Sequence, residues 1–215
     1  MTADRSIPVR DAVILAAGNG DRFQNSTRQS KLLQPVLGQP LIIRTLTTAI
    51  DAGVTSLDIV LGYQAEALRA AIERATPAGV ALHFTINPNW RLENGVSARA
   101  VRARFQDRRF ALLMGDHLFE PAVLTGLLRA RVGAGESILA VDSRPASTER
   151  AAEATKVALD GDRITAIGKD LRHYDALDTG LFVCSPLLFV ALDEACAAAE
   201  STRTTPTCAP GATTR

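Results

Sequence analysis

Gly18 and Gly20 stand one residue apart near the start of the chain, followed by Arg22 and, a short loop later, Lys31. Glycines at this spacing let successive backbone N–H groups converge on an anion, because no side chain blocks the approach and positive φ is allowed. Fixed cations beside such a nest supply what a triphosphate requires. A carboxylate suited to the same ligand comes later, where the apolar run Phe110–Met114 ends in Gly115, Asp116 and His117. Mg²⁺ is a hard cation that takes carboxylate and phosphate oxygens, so Asp116 is the candidate metal ligand and the strongest catalytic candidate. His117 has no second histidine at a useful spacing. Three roles remain open for it: to bind substrate, to orient Asp116, or simply to stand exposed.

Two other glycine loops are disfavoured. A dinucleotide fingerprint needs a third glycine where this chain has Phe23, and a helix at once where residues 23–30 read as loop. A P-loop needs a Gly-Lys-Ser/Thr ending, which the chain lacks.

The elements that must position these residues follow from periodicity. Ala12–Ala16 reads as a strand covered on both faces, as in a parallel sheet. Helices are expected over Pro40–Ala52, 65–75, Ser97–Phe105 and Ala122–Val132, and strands over Leu57–Leu61, Val80–Ile86, Phe110–Met114 and Ile138–Val141. This alternation predicts an α/β fold with a mostly parallel sheet and helices on both faces. Ligands of such sheets gather at the carboxyl ends of the strands. Asp160-Gly161 between short alternating strands predicts a hairpin.

A hydrophobic fraction of 47% allows a real core, and a formal net charge of +1 argues against a nucleic-acid surface, so any nucleotide bound is expected to be a small molecule. No apolar run reaches the length of a bilayer span and residues 1–10 lack a signal-peptide core, so a cytoplasmic protein is expected. Cys184, Cys196 and Cys208 form no CxxC pair, so neither a disulfide framework nor a zinc site is indicated.

A polar loop, Asn87–Ser97, joins an expected strand to an expected helix that Ser97 would cap. Asn, Pro and Gly there are turn residues and Trp90 could lid the core. Alternatively, Asn94, Gly95 and Ser97 reach a nucleobase or ribose.

Leu15-Ala16-Ala17-Gly18-Asn19-Gly20-Asp21-Arg22, then Lys31, then Gly38–Ile42, resembles the signature of the sugar-phosphate nucleotidyltransferases. Glu93–Gly95, Glu153–Lys156, Gly168–Leu171 and Asp178–Gly180 are similar, in order, to motifs of the cytidylyltransferase domain that activates inositol 1-phosphate for di-inositol phosphate synthesis. The resemblance covers roughly residues 11–195. It implies a Rossmann-like three-layer nucleotidyltransferase fold with a small β-hairpin acceptor region. It implies CTP as donor, inositol 1-phosphate as acceptor, Mg²⁺ as cofactor, and release of pyrophosphate with CDP-inositol as product.

The resemblance places Leu15, Ala16, Ala17, Gly18, Gly20, Arg22, Lys31, Asn94, Gly95 and Ser97 on the nucleotide. It makes Glu153, Lys156, Lys169, Asp178, Thr179 and Gly180 the acceptor site. Lys156 or Lys169 would hold the acceptor phosphate, and Glu153 and Asp178 would bond ring hydroxyls. Arg22, Lys31 and Lys169 would act in catalysis, Lys169 by cancelling repulsion between the two anionic reactants. A membrane-bound CDP-alcohol phosphotransferase is the implied working partner. Alternatives are another sugar-phosphate or phosphocholine nucleotidyltransferase, or an inactive nucleotide-binding remnant.

The resemblance fails in two places. Ser30 and Leu32 flank Lys31 where the family often has proline, and the family's late Asp-Val-Asp-type motif, which supplies a second metal-binding aspartate, is not found. Residues 1–10 are expected to be an extension, 11–195 a C-terminally shortened nucleotidyltransferase domain, and 196–215 a disordered Thr/Ala/Pro tail.

Overall fold

A computed structural model describes residues 8–20, 29–133, 135–145 and 147–203. The chain runs β1 (Asp11–Ala16), β2 (Pro35–Val36), β3 (Gln39–Pro40), α1 (Leu41–Asp51), β4 (Ser56–Leu61), α2 (Ala65–Ala75) and β5 (Ala81–Ile86). It continues through α3 (Asn94–Arg99), β6 (Phe110–Met114), α4 (Pro121–Arg129), β7 (Ile138–Asp142) and α5 (Thr148–Glu153). It ends with β8 (Lys156–Asp160), β9 (Arg163–Gly168), β10 (Ala176–Cys184) and α6 (Leu187–Arg203). Arg22 and most of the loop around it, like residues 204–215 of the expected tail, lie outside the described residues. Residues 196–203 of that tail continue α6.

Eight strands form one sheet in the order β5-β4-β1-β6-β10-β8-β9, with β7 also on β10. β5, β4, β1 and β6 pair in parallel. β10 runs against β6, β7 and β8, so those three keep the direction of β1, while β10 and β9 oppose it. The sheet is therefore mostly parallel in direction.

β1 sits at its centre because its side chains are apolar on both faces. Ala12, Ile14 and Ala16 pack with α1, α2 and α4, while Val13, Leu15 and Ala17 join Val101, Phe105, Phe110 and Phe189 on the other face. Val13 and Ile14 are fully buried, so truncating either to alanine should cost about 2–4 kcal/mol through lost transfer energy and a cavity. After β1 the chain builds β4 and β5 to one side and returns for β6 on the other. The strand order thus reverses between β1 and β6, which opens a crevice at their carboxyl ends.

Two local expectations are corrected. The helix expected at Ser97 begins three residues earlier, at Asn94, and ends at Arg99, with a separate 3-10 turn over Arg102–Arg104. Ser97 is not its cap, because its hydroxyl is buried and accepts from Asn87 Nδ2 at 2.9 Å. The hairpin turns on Gly161 and Asp162 rather than Asp160 and Gly161, since Asp160 still pairs with Arg163. Gly161, at φ 58°, supplies the left-handed first position that a two-residue hairpin favours.

Candidate functional site

The carboxyl ends of β1 and β6 carry the first cluster. Leu15, Ala16, Ala17, Gly18 and Gly20 line a cleft of about 140 Å³ with Lys31, Trp90, Asn94, Ser97, Met114 and Asp116. Gly20 adopts φ 66°, a conformation that favours glycine. A Cβ on Gly18 would meet nothing within 4 Å, so the unliganded fold does not itself require glycine there.

Asp116 reaches the cleft through a crowded turn. Gly115 N–H donates to Leu15 O at 2.9 Å, and a Cβ on Gly115 would stand 2.9 Å from that oxygen. The buried Thr45 hydroxyl on α1 lies 3.1 Å from Gly115 O and 3.0 Å from His117 O, which anchors the turn from below. The N-cap position of α4 is Glu120, so Asp116 is not a helix cap.

Lys31 Nζ stands 2.9 Å from Asp116 Oδ2, and His117 Nδ1 stands 2.9 Å from Oδ1. The His117 hydrogen bond, reinforced by Lys31, holds this carboxyl well below the usual carboxylate range, although burial opposes the shift. Asp116 is therefore a carboxylate at any physiological pH. An ionised carboxylate only accepts, so the proton between Asp116 and His117 sits on Nδ1.

A larger cavity of about 660 Å³ adjoins the cleft and shares Leu15, Asn94 and Met114 with it. His117, Glu153, Lys169, Asp178 and Gly180 line its polar side, and Leu139, Ile164, Ile167, Phe182, Leu188 and Leu192 its apolar side. Gly180 has φ 73° within an irregular stretch of β10, held by its N–H on Asp178 Oδ1 at 2.7 Å. A Cβ there would come within 3.2 Å of the His117 ring, so the bulge makes room for the imidazole.

The expected nucleotide residues separate in space. Leu15, Ala16, Ala17, Gly18, Gly20, Lys31, Asn94 and Ser97 share the cleft, whereas Gly95 lines the larger cavity, where a Cβ would stand 3.0 Å from Leu192. Among the expected acceptor residues, Glu153, Lys169, Asp178 and Gly180 reach the cavity. Lys156 Nζ instead donates to Lys169 O at 2.8 Å, and Thr179 Oγ1 donates to Ala140 O at 2.6 Å.

Sequence reasoning passed over Gly62 and gave no part in the site to Gly115 or Thr45. A Cβ on Gly62 would clash with the Trp90 side chain and lie 2.7 Å from Ala17 O. The available signal was a glycine directly after an apolar strand, the same one that marks Gly18.

Among the described residues no three His, Cys, Asp or Glu side chains gather as a metal cluster. Mg²⁺ does not need one, because it keeps several waters and is commonly held by one or two carboxylates plus substrate phosphates. Asp116, ionised at the mouth of the glycine loop, fits that mode.

The model of the MobA-like NTP transferase domain matches residues 12–205. The chain is 35% identical over 185 residues to a bifunctional IPC transferase and DIPP synthase of Rubrobacter xylanophilus, covering 86% of this chain and 40% of that protein. It is 35% identical over 175 residues to a CMP-5'-(3-aminopropyl)phosphonate synthase of Streptomyces rubellomurinus, covering 80% of this chain and 26% of that protein. The chain thus spans less than half the length of these curated relatives. Its fold is similar to the inositol-1-phosphate CTP transferase of T. maritima, with a TM-score of 0.75, 25% identity, and coverage of 88% of this chain and 75% of that one. None of the described helices is long and apolar enough to cross a membrane.

Proposed function

The chain belongs to the MobA-like NTP transferase family, and on that premise we propose that it transfers CMP from CTP to inositol 1-phosphate, releasing pyrophosphate and giving CDP-inositol. The observation that carries this reading is the Lys31–Asp116 pair at the mouth of the glycine loop, with His117 leading from it into a second cavity lined by Lys169, Glu153 and Asp178. The IPC transferase relatives and the inositol-1-phosphate CTP transferase neighbour support the choice of substrates.

The acceptor phosphate oxygen attacks the α-phosphorus in line and pyrophosphate leaves, so the protein supplies positioning and charge rather than a nucleophile. The loop from Gly18 to Gly20 offers backbone N–H groups to the phosphates, and Arg22 and Lys31 stabilise the charge that develops on pyrophosphate. Asp116 would hold Mg²⁺, which supplies further neutralisation of phosphate charge when bound. Asn94 and Ser97 bound the nucleoside side of the cleft. Lys169 offsets the repulsion between the two anions, while Glu153 and Asp178 face the polyol. The product, a CDP-alcohol, is a substrate for a membrane-bound phosphotransferase acting on the cytoplasmic side.

A second reading keeps the reaction and changes the acceptor to a phosphate or phosphonate with an aliphatic part. The aminopropylphosphonate relative and the apolar wall of Ile164 and Ile167 favour it. Pyrophosphate release with Mg²⁺ and CTP, measured across inositol 1-phosphate, glucose 1-phosphate, phosphocholine and 3-aminopropylphosphonate, tests both. Release with inositol 1-phosphate alone supports the first reading, and release with the phosphonate alone supports the second. Silence across the panel removes both.

A further inference from the structure

The corner between β4 and α2, Gly62–Tyr63–Gln64, is assigned no ligand contact, yet three walls of the nucleotide cleft are tied to it. Tyr63 N–H donates to Ala17 O at 2.9 Å, at the start of the glycine loop. The Tyr63 ring packs on Trp90 with 5.5 Å between centroids. Ser30 N–H donates to Gln64 Oε1 at 2.8 Å, and Ser30 is fully buried and directly precedes Lys31. Since an N–H can only donate, the Gln64 amide must present its oxygen to Ser30; its nitrogen lies 3.3 Å from Tyr63 Oη.

Gln64 breaks two local rules at once. It is left-handed, at φ 52° and ψ 38°, one of only two non-glycine residues with positive φ among those described. A residue with a Cβ is strained there. It also occupies the N-cap of α2, where a side chain ordinarily turns back onto the helix, but it makes no cap bond and reaches 34 positions along the chain to Ser30 instead. Such departures persist where the surrounding structure over-determines them, and they gather at functional sites.

Beyond Ser30 the geometry is short and stiff. The Ser30 hydroxyl accepts from Leu32 N at 3.3 Å and caps the single 3-10 turn Lys31–Leu33. Lys31 Nζ leaves that turn for Asp116. We propose that Gln64 is a positioning residue: its amide oxygen fixes the Ser30–Lys31 turn so that Lys31 stands over the nucleotide phosphates beside Asp116, and its left-handed backbone aims that amide.

The proposal rests on the reading of the cleft as a triphosphate site. Its test compares Gln64→Gly with wild type for CTP affinity in Mg²⁺ by calorimetry and for amide hydrogen exchange at Ser30–Leu33. Glycine relieves the backbone while removing an acceptor from a buried N–H, so the stability effects oppose and Tm should move by no more than about 4 °C. CTP affinity should fall at least about tenfold, and Ser30 exchange should accelerate even without nucleotide. In a Lys31→Ala background the same substitution should change CTP affinity by less than about twofold, because Gln64 acts through Lys31. Wild-type affinity in Gln64→Gly, or an equal loss in the Lys31→Ala background, overturns the proposal. A wild-type chain that binds no nucleotide overturns the site reading and this proposal together.

Discussion

The glycine-loop cleft hangs from β1 and β6, whose side chains are almost all buried, whereas the larger cavity is walled by β7 and β9, whose side chains are half-exposed or exposed, and by β10. On the first side the charged groups already face one another: Lys31, Asp116 and His117 form one continuous chain of contacts. On the second side several polar groups are turned to their own backbone, Lys156 on Lys169 O, Thr179 on Ala140 O and Asp178 on Gly180 N. Under the proposed function, the buried side would serve the step common to the family and the more exposed side would vary with the acceptor. Hairpin side chains such as Ile164 and Ile167 are exposed, so exchanging them costs little stability, whereas a Cβ added at Gly62 or Gly115 meets the backbone of Ala17 or Leu15.

The largest effect expected from breaking this contrast is at Asp116. Asp116→Ala should lower kcat about a hundredfold, on the order of 3 kcal/mol, and lower Tm only modestly, because the ion pair it loses is partly exposed at the cleft. Steady-state pyrophosphate release and a thermal melt check it; full activity in the folded variant removes Asp116 from the chemistry.

Gly115→Ala and Gly18→Ala should part company. A methyl on Gly115 would press on Leu15 O and Ile42, so stability should fall by roughly 1–3 kcal/mol. A methyl on Gly18 meets only open space and should leave stability within about 0.5 kcal/mol while weakening CTP binding. Urea denaturation and calorimetry separate the two, and equal destabilisation by both would contradict the geometry.

Lys169→Ala should raise the acceptor KM about tenfold, near 1.4 kcal/mol, and leave CTP affinity alone, since Lys169 lines only the larger cavity. A parallel loss of CTP affinity would erase the distinction between the two regions.

The smallest effect is in acid. The folded carboxyl of Asp116 is held below its ordinary value of 3.8, so its contribution to stability is present above that value and fades as pH falls below it. The stability difference between wild type and Asp116→Asn should shrink as pH falls below about 4. Chemical denaturation at several pH values reads this, and a difference that grows in acid would reverse the assignment.

The parallel core was legible in the sequence because it rests on local pattern. β1, β6 and α2 coincide with the apolar runs and helical periodicity that predicted them, since a strand buried on both faces and an amphipathic helix write their environments into residue order. The start of α3 was misplaced because Ser97 looks like a cap but spends its hydroxyl on Asn87, ten residues away, a partner that spacing does not reveal.

The residue types of the cleft, two glycines, a lysine and an aspartate at a strand's end, were likewise set by the sequence. Tertiary structure alone decided which of them meet. Lys31 and Asp116 lie 85 positions apart and come together because β1 and β6 are neighbours at the point where the strand order reverses. Gly62 and Gly115 matter because of what other elements press against them, and Gln64 because its amide oxygen accepts from the N–H of a buried residue 34 positions away. Such demands arise from distant chain segments sharing one volume, and no local pattern records them.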